Sequence, residues 1–266
     1  MKSAMCISVE PQVKVYGMEG NFEENIRFIA NLGFDGIELR TDLEPDQIDS
    51  KRIKETVARY DLEISALAQG QYYYQYGLSL STGNREVREK AVEKIKESIK
   101  VAGELNSKVI IGGVQGKYER SYEESFCYMK DCLQECSKTA AEQGVLLLLE
   151  PVNRYVPMLL RTVREGIRII DEIGSPWIKL MADSYHMNIE EVSIYESIRQ
   201  AKGYLAHFHV ADSNRLAPGQ GHIDFKGIVA TLKEIGYKDY LSAEILPLPD
   251  QLTAARLTIQ CLKPLL

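Results

Sequence analysis

Apolar, strand-like runs alternate with helix-like stretches along the whole chain, and this alternation is the main constraint on the fold. In the second half, four successive runs end in a carboxylate or an imidazole: Glu150, Asp183, His209 and Glu244. The intervals between these four residues are 33, 26 and 35 positions, which is the length of one strand followed by one helix. Such a repeat predicts parallel α/β architecture, in which the carboxyl ends of the strands lie on one side.

The number of strand-like runs predicts a closed (β/α)8 barrel of the α/β class. Eight runs can be distinguished, and a length of 266 residues is typical of such a barrel. The runs VLLLLE and WIKLMAD are almost continuously apolar, as expected for strands that are buried on both faces. No low-complexity linker divides the chain, so we predict a single TIM-barrel domain over residues 1–266. An open, doubly wound sheet is the alternative.

Helix signals lie between the strand-like runs. Asn21 is a candidate N-cap and Gly33 a candidate end for the first helix. Further helices are predicted at about Gln47–Tyr60, at Asn84–Leu105 and at Tyr122–Glu142. The helix at Asn84–Leu105 is the clearest, because apolar residues recur along it at steps of three and four.

Composition and charge exclude several classes of partner. The formal net charge of −6 argues against a surface that binds nucleic-acid phosphates. The first residues lack the apolar region of a secretory signal, and no apolar run approaches membrane-spanning length. Five cysteines without a CxxC pair are typical of reduced thiols in an intracellular protein. We therefore expect a cytoplasmic protein with no nucleic-acid or membrane partner. Cys132 and Cys136 are interpreted as core residues of one helix face, with a metal or redox role as the alternative.

Three carboxylates and one imidazole at one rim of a barrel predict a metal site. These groups would repel one another unless a cation joined them. Three oxygen donors suit Mg²⁺ or Mn²⁺, and the imidazole also admits Co²⁺, Fe²⁺ or Zn²⁺. The alternative is that Glu150, Asp183, His209 and Glu244 are four unrelated charged strand ends.

The histidines cluster in the same part of the chain. All four lie within one 37-residue stretch that begins at His186 and ends at His222. His207 and His209 point to the same face of one strand, about 6.6 Å apart along it, so one metal at the rim takes the outer residue, His209. We interpret His207 as a hydrogen-bonded residue of the barrel interior.

Several segments make the chain similar to a known family. EPVNRY, ADSYHMNIEE, HFHVADSNRLAPGQGHIDF and SAEILPLP resemble the ketose 3-epimerase branch of the xylose isomerase-like TIM barrels, which includes D-tagatose and D-psicose 3-epimerases. HVADSNR with APG, and MNIEEVSI, carry a narrower likeness to 5-keto-L-gluconate epimerases. The resemblance spans nearly the full chain, and VIIGGVQG and GLSLS in the first half match more loosely.

The resemblance implies a specific activity and specific roles. It implies an isomerase in which the four strand-end residues bind one divalent metal ion. Mn²⁺ is the expected ion, and Mg²⁺, Co²⁺ or Zn²⁺ are the alternatives. Glu150 and Glu244 would be the acid/base pair, and His186 and Arg215 would contact the substrate beside its carbonyl. The partner would be a small sugar, and related enzymes form dimers or tetramers, so a homo-oligomer is expected. For His186 a structural role, and for Arg215 a rim salt bridge, are the alternatives.

Two positions depart from the family pattern. Val156 follows Tyr155, where the family has a substrate-binding glutamate, so sugar contacts on this side are in question. Gln115 stands where the family has an arginine, which puts the acidic keto-gluconate substrate in question.

The expected reaction is inversion at carbon 3 of a ketose or keto-sugar acid through a cis-enediolate, with one carboxylate on each side of the substrate. The same site would also serve an aldose–ketose isomerase acting on a sugar or sugar phosphate, a keto-inositol dehydratase or a keto-glycoside lyase. An apurinic-site endonuclease would need more histidines and a basic groove. A non-catalytic sugar-binding subunit is the alternative from a different class.

Two loops allow further expectations. The tyrosines of QYYYQYG would line a substrate pocket or form a loop or subunit contact. His222 and Asp224 would shape a loop and cap the helix that follows it.

Overall fold

A computed structural model describes residues 1–11, 16–68, 71–156 and 158–266. Eight parallel strands form a closed barrel in chain order, and the eighth strand pairs with the first. This confirms the predicted (β/α)8 barrel and excludes the open, doubly wound sheet. The strands are β1 (Lys2–Ser8), β2 (Gly36–Arg40), β3 (Glu63–Ala68), β4 (Val109–Ile111), β5 (Leu147–Leu149), β6 (Ile178–Asp183), β7 (Leu205–His209) and β8 (Tyr240–Ala243).

Helices follow the strands and surround the barrel. Short 3₁₀ turns at Pro45–Gln47 and Gly113–Gln115 precede two of them. In the described part of the chain the helices are α1 (Phe22–Leu32), α2 (Ser50–Ala58), α3 (Gln71–Tyr76), α4 (Arg85–Leu105), α5 (Tyr122–Gln143), α6 (Val163–Ile173), α7 (Ser184–Glu190), α8 (Ile194–Gln200), α9 (Phe225–Glu234) and α10 (Gln251–Leu262).

The cap predicted at Asn21 and the helix end predicted at Gly33 are confirmed. The Asn21 side chain accepts a hydrogen bond from the backbone N–H of Glu24 at 3.1 Å, and Gly33 ends α1 with φ +83°. The Asn84 side chain likewise accepts from the N–H groups at the start of α4. Each cap satisfies helix-end groups that would otherwise lack a partner.

The second helix is shorter than the predicted Gln47–Tyr60. The chain first makes the 3₁₀ turn at Pro45–Gln47, and α2 begins only at Ser50. The reason is the local cap, because the Asp49 side chain accepts from the N–H of Arg52 at 2.9 Å and so fixes the first turn there.

The barrel interior has two kinds of lining. Register partners across parallel strands share a face, and Cys6, Glu38 and Ala66 are partners on β1, β2 and β3. The polar half, as we call it, comprises four buried polar side chains, one each from β7, β8, β1 and β2: His207, Ser242, Cys6 and Glu38. The apolar half, on β3 to β6, is a small cluster separate from the main core: Ala66, Ala68, Ile110, Leu148 and Met181.

The main core lies between the barrel and the helices. Cys132 and Cys136 of α5 are buried in it, which confirms that they are core residues. Among the described residues, no helix combines the length and the apolar character needed to cross a bilayer.

Candidate active site and metal centre

The four strand-end residues converge at the carboxyl end of the barrel. Glu150 directly follows β5, Asp183 and His209 are the last residues of β6 and β7, and Glu244 directly follows β8. All four are buried, and one ligand atom from each lies within 4.8 Å of the others. The four side chains therefore lie together on one rim of the barrel, as predicted.

The geometry of this cluster fits a divalent cation. Nδ1 of His209 lies 3.7 Å from Glu150, 3.8 Å from Asp183 and 3.6 Å from Glu244, each measured to a carboxylate oxygen. Within the described residues, His209 Nδ1 and Asp183 Oδ2 are buried and have no hydrogen-bond partner. Such atoms are costly unless a ligand engages them, and oxygen-rich sets with one imidazole suit divalent metals.

The cluster of carboxylates attracts positive charge from the protein itself. Burial opposes ionisation of Asp183, but the Arg215 guanidinium and nearby histidines hold the pKa of its carboxyl well below the usual range. Burial also disfavours a charged His209, yet Glu38 and Asp183 raise the pKa of this imidazole to about 10. Burial raises the pKa of Glu150. Together these pKa shifts indicate that the carboxylates bring more negative charge to the site than its cationic groups balance.

Space and hydrogen bonds place Glu150. A Cβ atom at Gly112 would lie 2.6 Å from Glu150 Oε2, so a larger residue here would displace that carboxylate oxygen. The Gln115 amide donates to the Glu150 carbonyl and accepts from the N–H of Leu160, each at 2.9 Å. Gln115 is fully buried and does not line the cavity, so it positions this loop rather than deciding the charge of the substrate.

A cavity of about 270 Å³ opens beside the carboxylates. Glu150, Glu244, His186 and Arg215 all line it, so the predicted catalytic and substrate-contacting residues share one cavity. Other lining residues are apolar and include the family departure at Val156; they are Ala68, Ile110, Val114, Val152, Val156 and Met158.

His186 presents a neutral, donating imidazole to the cavity. Its Nδ1 accepts from the backbone N–H of Asn153 at 3.2 Å and lies 2.7 Å from the amide nitrogen of the same residue. The proton of the neutral ring is therefore on Nε2. Burial lowers the pKa of His186 to about 4, so the ring is uncharged at neutral pH and donates rather than accepts.

Arg215 lies in the site and is nearly buried, not on an exposed rim. Its guanidinium bonds Glu244 and lies 3.5 Å from an oxygen of Asp183. The rings of Tyr16 and Tyr185 lie 4.5 and 4.7 Å from it, distances typical of cation–π contacts. The backbone of Arg215 has φ +60°, an uncommon conformation for a residue with a side chain.

Two charged residues of β2 belong to the site, although they were absent from the predicted set. Glu38 accepts hydrogen bonds from His207 and His209, and Arg40 pairs with Glu244 and lines the cavity. The bond from His207 confirms its predicted role in the barrel interior. Glu38 and Arg40 lie two positions apart on an interior strand, and this spacing of ionisable residues was the available signal.

The tyrosine segment divides between the two expected roles. Tyr74 lines the cavity, whereas Tyr72 is buried and its hydroxyl lies 3.0 Å from that of Ser98. The expected helix cap is also found, since the Asp224 side chain accepts from the N–H of Gly227 at 3.0 Å. His222 is exposed in the preceding loop.

Comparisons with known proteins agree with this geometry. The family model "Xylose isomerase-like TIM barrel" matches residues 26–265. The L-ribulose 3-epimerase of Mesorhizobium japonicum is 30% identical, over 85% of this chain and 76% of that protein. The 3-dehydro-D-guloside 4-epimerase of Escherichia coli is 26% identical, over 84% of this chain and 87% of that protein. The solved structure of an L-ribulose 3-epimerase superposes with a TM-score of 0.85 at 26% identity, over 99% of this chain and 94% of the other.

Proposed function

Since the chain belongs to the xylose isomerase-like TIM-barrel family and its relatives are sugar epimerases of the isomerase class, we propose that it inverts carbon 3 of a ketose or keto-sugar acid. The observation that carries this proposal is the placement of Glu150 and Glu244 in one cavity with two donors, His186 and Arg215. Proton removal and return next to a carbonyl requires this set of groups.

A divalent metal is part of the proposal. Glu150, Asp183, His209 and Glu244 would hold it, because their ligand atoms lie within 4.8 Å of one another and two of those atoms lack hydrogen bonds. When bound, such a cation polarises the substrate carbonyl and makes the neighbouring C–H more acidic. Mn²⁺ is the proposed ion, and Mg²⁺, Co²⁺ or Zn²⁺ are compatible with the same donors.

The two glutamates would move the protons. Glu150 follows β5 and Glu244 follows β8, so the two carboxyl groups reach the cavity from separate strands. One carboxylate takes the proton from the inverting carbon, and the other returns a proton to the opposite face. Their roles exchange in the reverse direction, so either glutamate is base for one epimer.

His186 and Arg215 would stabilise the enediolate. The neutral His186 ring carries its proton on Nε2, which lies 3.4 Å from the Arg215 guanidinium. These adjacent donors suit two adjacent oxygens, such as a carbonyl and the neighbouring hydroxyl. Hydrogen bonds that strengthen as negative charge develops lower the barrier of this step.

Turnover in heavy water tests the proposal. The protein is incubated in D₂O with Mn²⁺ and a panel of ketoses and keto-sugar acids, and the products are read by NMR. We expect deuterium at carbon 3 of the recovered product, because the proton would exchange with solvent through the glutamates. Retention of the original hydrogen at the inverted carbon would contradict proton abstraction.

Inversion at carbon 4 is the second candidate. It is favoured by one observation, the match to the 3-dehydro-D-guloside 4-epimerase over 87% of that protein. A keto group makes the C–H bond of the neighbouring carbon more acidic. A keto group at carbon 3 therefore acts on carbon 4 in the way that a keto group at carbon 2 acts on carbon 3, and the same two glutamates would transfer the protons. Adding a 3-keto-glycoside to the panel separates the two, since deuterium would then be found at carbon 4. Deuterium at carbon 1 or 2 would instead identify an aldose–ketose isomerase.

A further inference from the structure

One buried carboxylate that the proposed mechanism does not use lies beneath the candidate metal centre. Glu38 of β2 is fully buried, and its Oε2 atom accepts from the Nε2 atoms of His207 and His209, at 2.9 and 2.7 Å. The two rings meet edge to face, with 5.3 Å between their centroids. A single carboxylate oxygen thus holds both histidines of β7.

The other oxygen of Glu38 is also engaged. The Cys6 thiol donates to Oε1 at 3.2 Å, and Nε of Arg40 lies 3.7 Å from the same atom. Cys6 and Glu38 are register partners on adjacent strands, so this contact is set by the barrel itself. The carboxylate is therefore fixed from several sides and cannot rotate freely away from the histidines.

Cys6, Glu38 and His209 also lie close enough together to raise the possibility of a second metal site. The hydrogen bonds within the trio argue against it. The Cys6 thiol donates to Oε1 of Glu38, and Oε2 of the same carboxylate accepts from both histidines, so protein donors already engage both oxygens of Glu38. We therefore interpret this trio as a hydrogen-bonded support for His209.

The support determines which nitrogen of His209 is available. Because Nε2 is bonded to Glu38, Nδ1 is the ring nitrogen that faces the carboxylates, 3.6 to 3.8 Å from their nearest oxygens. A cation that binds here would replace the Nδ1 proton of this imidazole, and the ring, still donating through Nε2, would then present its lone pair on Nδ1. The Nδ1 atom is buried and, within the described residues, without a hydrogen-bond partner.

We infer that Glu38 is a positioning residue: it fixes the tautomer and ring orientation of His209 so that Nδ1 binds the divalent cation. This inference rests on the metal site of the proposed function. His207 shares the same carboxylate oxygen and restricts the His209 ring from the side. Outer carboxylates of this kind typically change metal affinity by about 10- to 100-fold when they are removed.

The tautomer can be read directly in the unsubstituted protein. The chain has four histidines, so ¹⁵N imidazole NMR during titration with Zn²⁺ gives a spectrum that can be assigned by substituting the other three one at a time. We expect Zn²⁺ to shift Nδ1 of His209 while its Nε2 keeps its proton. Binding of Zn²⁺ through Nε2 of His209 would overturn the inference.

Metal affinity gives the second test. Glu38→Gln should lower Mn²⁺ affinity by about 10- to 100-fold, measured by chelator competition on folded protein. Cys6→Ala is the matched comparison, because it removes one contact to Oε1 of the same carboxylate and keeps both histidine contacts to Oε2, so it should lower the affinity by less than Glu38→Gln does. If Glu38→Gln does not fold, Glu38→Asp keeps the charge but withdraws it by one methylene, and should weaken binding in the same direction.

The outcomes separate this inference from the proposed function. A merely structural role for Glu38 would lower the unfolding midpoint of the metal-free protein and leave Mn²⁺ affinity unchanged, which would overturn the inference alone. Zn²⁺ binding through Nδ1 without turnover of any sugar would support the inference and contradict the proposed activity. A parent protein that binds neither Mn²⁺ nor Zn²⁺ would overturn both.

Discussion

The two halves of the barrel interior position the candidate metal ligands by different means. In the apolar half, Glu150 and Asp183 lie at the ends of β5 and β6, above a cluster of aliphatic side chains. In the polar half, His209 and Glu244 lie at the ends of β7 and β8 and are held by Glu38 and Arg40 of β2. His209 and Glu244 are therefore each held by a charged side chain of β2, which is distant from them in the sequence.

The apolar half relies on backbone and space instead. Glu150 is accommodated because Gly112 has no side chain, and its loop is fixed by the buried Gln115 amide. Asp183 caps the helix that follows it, since its Oδ1 accepts from the N–H of Tyr185 at 2.7 Å. The comparison teaches that ligands on one rim can depend on unrelated structural features, so substitutions in the two halves should have different consequences.

The largest expected effect is the loss of either glutamate. Glu150→Gln and Glu244→Gln should each reduce turnover by about 10³-fold or more, because a carboxamide cannot accept the proton. Steady-state kinetics on the sugar that the parent converts would measure this. Full activity in either variant would remove the two-carboxylate mechanism.

The same two variants should differ in stability without metal. Glu150 has a raised pKa because it is buried, so a neutral amide there relieves repulsion and should leave the unfolding midpoint unchanged or higher. Glu244 pairs with both Arg40 and Arg215, so Glu244→Gln leaves two guanidinium groups without their carboxylate and should lower the midpoint. Equal midpoints for the two metal-free proteins would contradict the division into two kinds of support.

The next effect is steric and tests the apolar half. In Gly112→Ala the new Cβ would lie 2.6 Å from Glu150 Oε2, so the carboxylate must move. A displacement of about 1 Å can cost about 100-fold in rate, and we expect kcat to fall by about 10- to 100-fold. Gly103→Ala in α4 is the matched control, because its Cβ meets nothing closer than 3.5 Å. An unchanged kcat in Gly112→Ala would show that Glu150 tolerates displacement.

The halves also differ in how well the sequence predicts them. The four candidate ligands could be predicted because each interrupts an apolar run at its end, and the interruptions recur at intervals of 26 to 35 positions. Glu38 and Arg40 occur in GIELR, which reads as an ordinary alternating strand. Their importance arises only when the barrel closes and brings β2 near β7 and β8, and no local pattern encodes that closure.

Gln115 shows the same limit from the opposite direction. It stands where the family has an arginine, a difference that puts an acidic substrate in question, but its side chain bonds the backbone on both sides of the β5–α6 loop. Whether a polar residue faces a cavity or a neighbouring backbone depends on tertiary contacts. The helix cap at Asn21 could be predicted correctly because a cap depends only on residues within one turn.

The hydrogen bonds from Gln115 to the backbone can be tested with a variant of similar size. Gln115→Met has a similar volume but leaves the Glu150 carbonyl and the Leu160 N–H without partners. Unsatisfied buried groups cost about 1–3 kcal/mol each, so the free energy of unfolding in urea should fall by at least about 1 kcal/mol. Gln143→Met, at the end of α5, is the control for the substitution itself. A stability of Gln115→Met equal to that of the control would show that the loop does not need this amide.

The smallest expected effect concerns the wall of the cavity. Val156 is half-buried and lines the cavity with other aliphatic side chains. Val156→Thr keeps the shape and exchanges one methyl for a hydroxyl, which changes apolar contact by about 1 kcal/mol at most. KM should therefore change by less than about fivefold, and kcat should remain that of the parent, because valine carries no group that can transfer a proton. A fall in kcat comparable to that of Gly112→Ala would mean that the aliphatic wall, like Gly112, helps to position Glu150, and the apolar half would then act on chemistry as well as on binding.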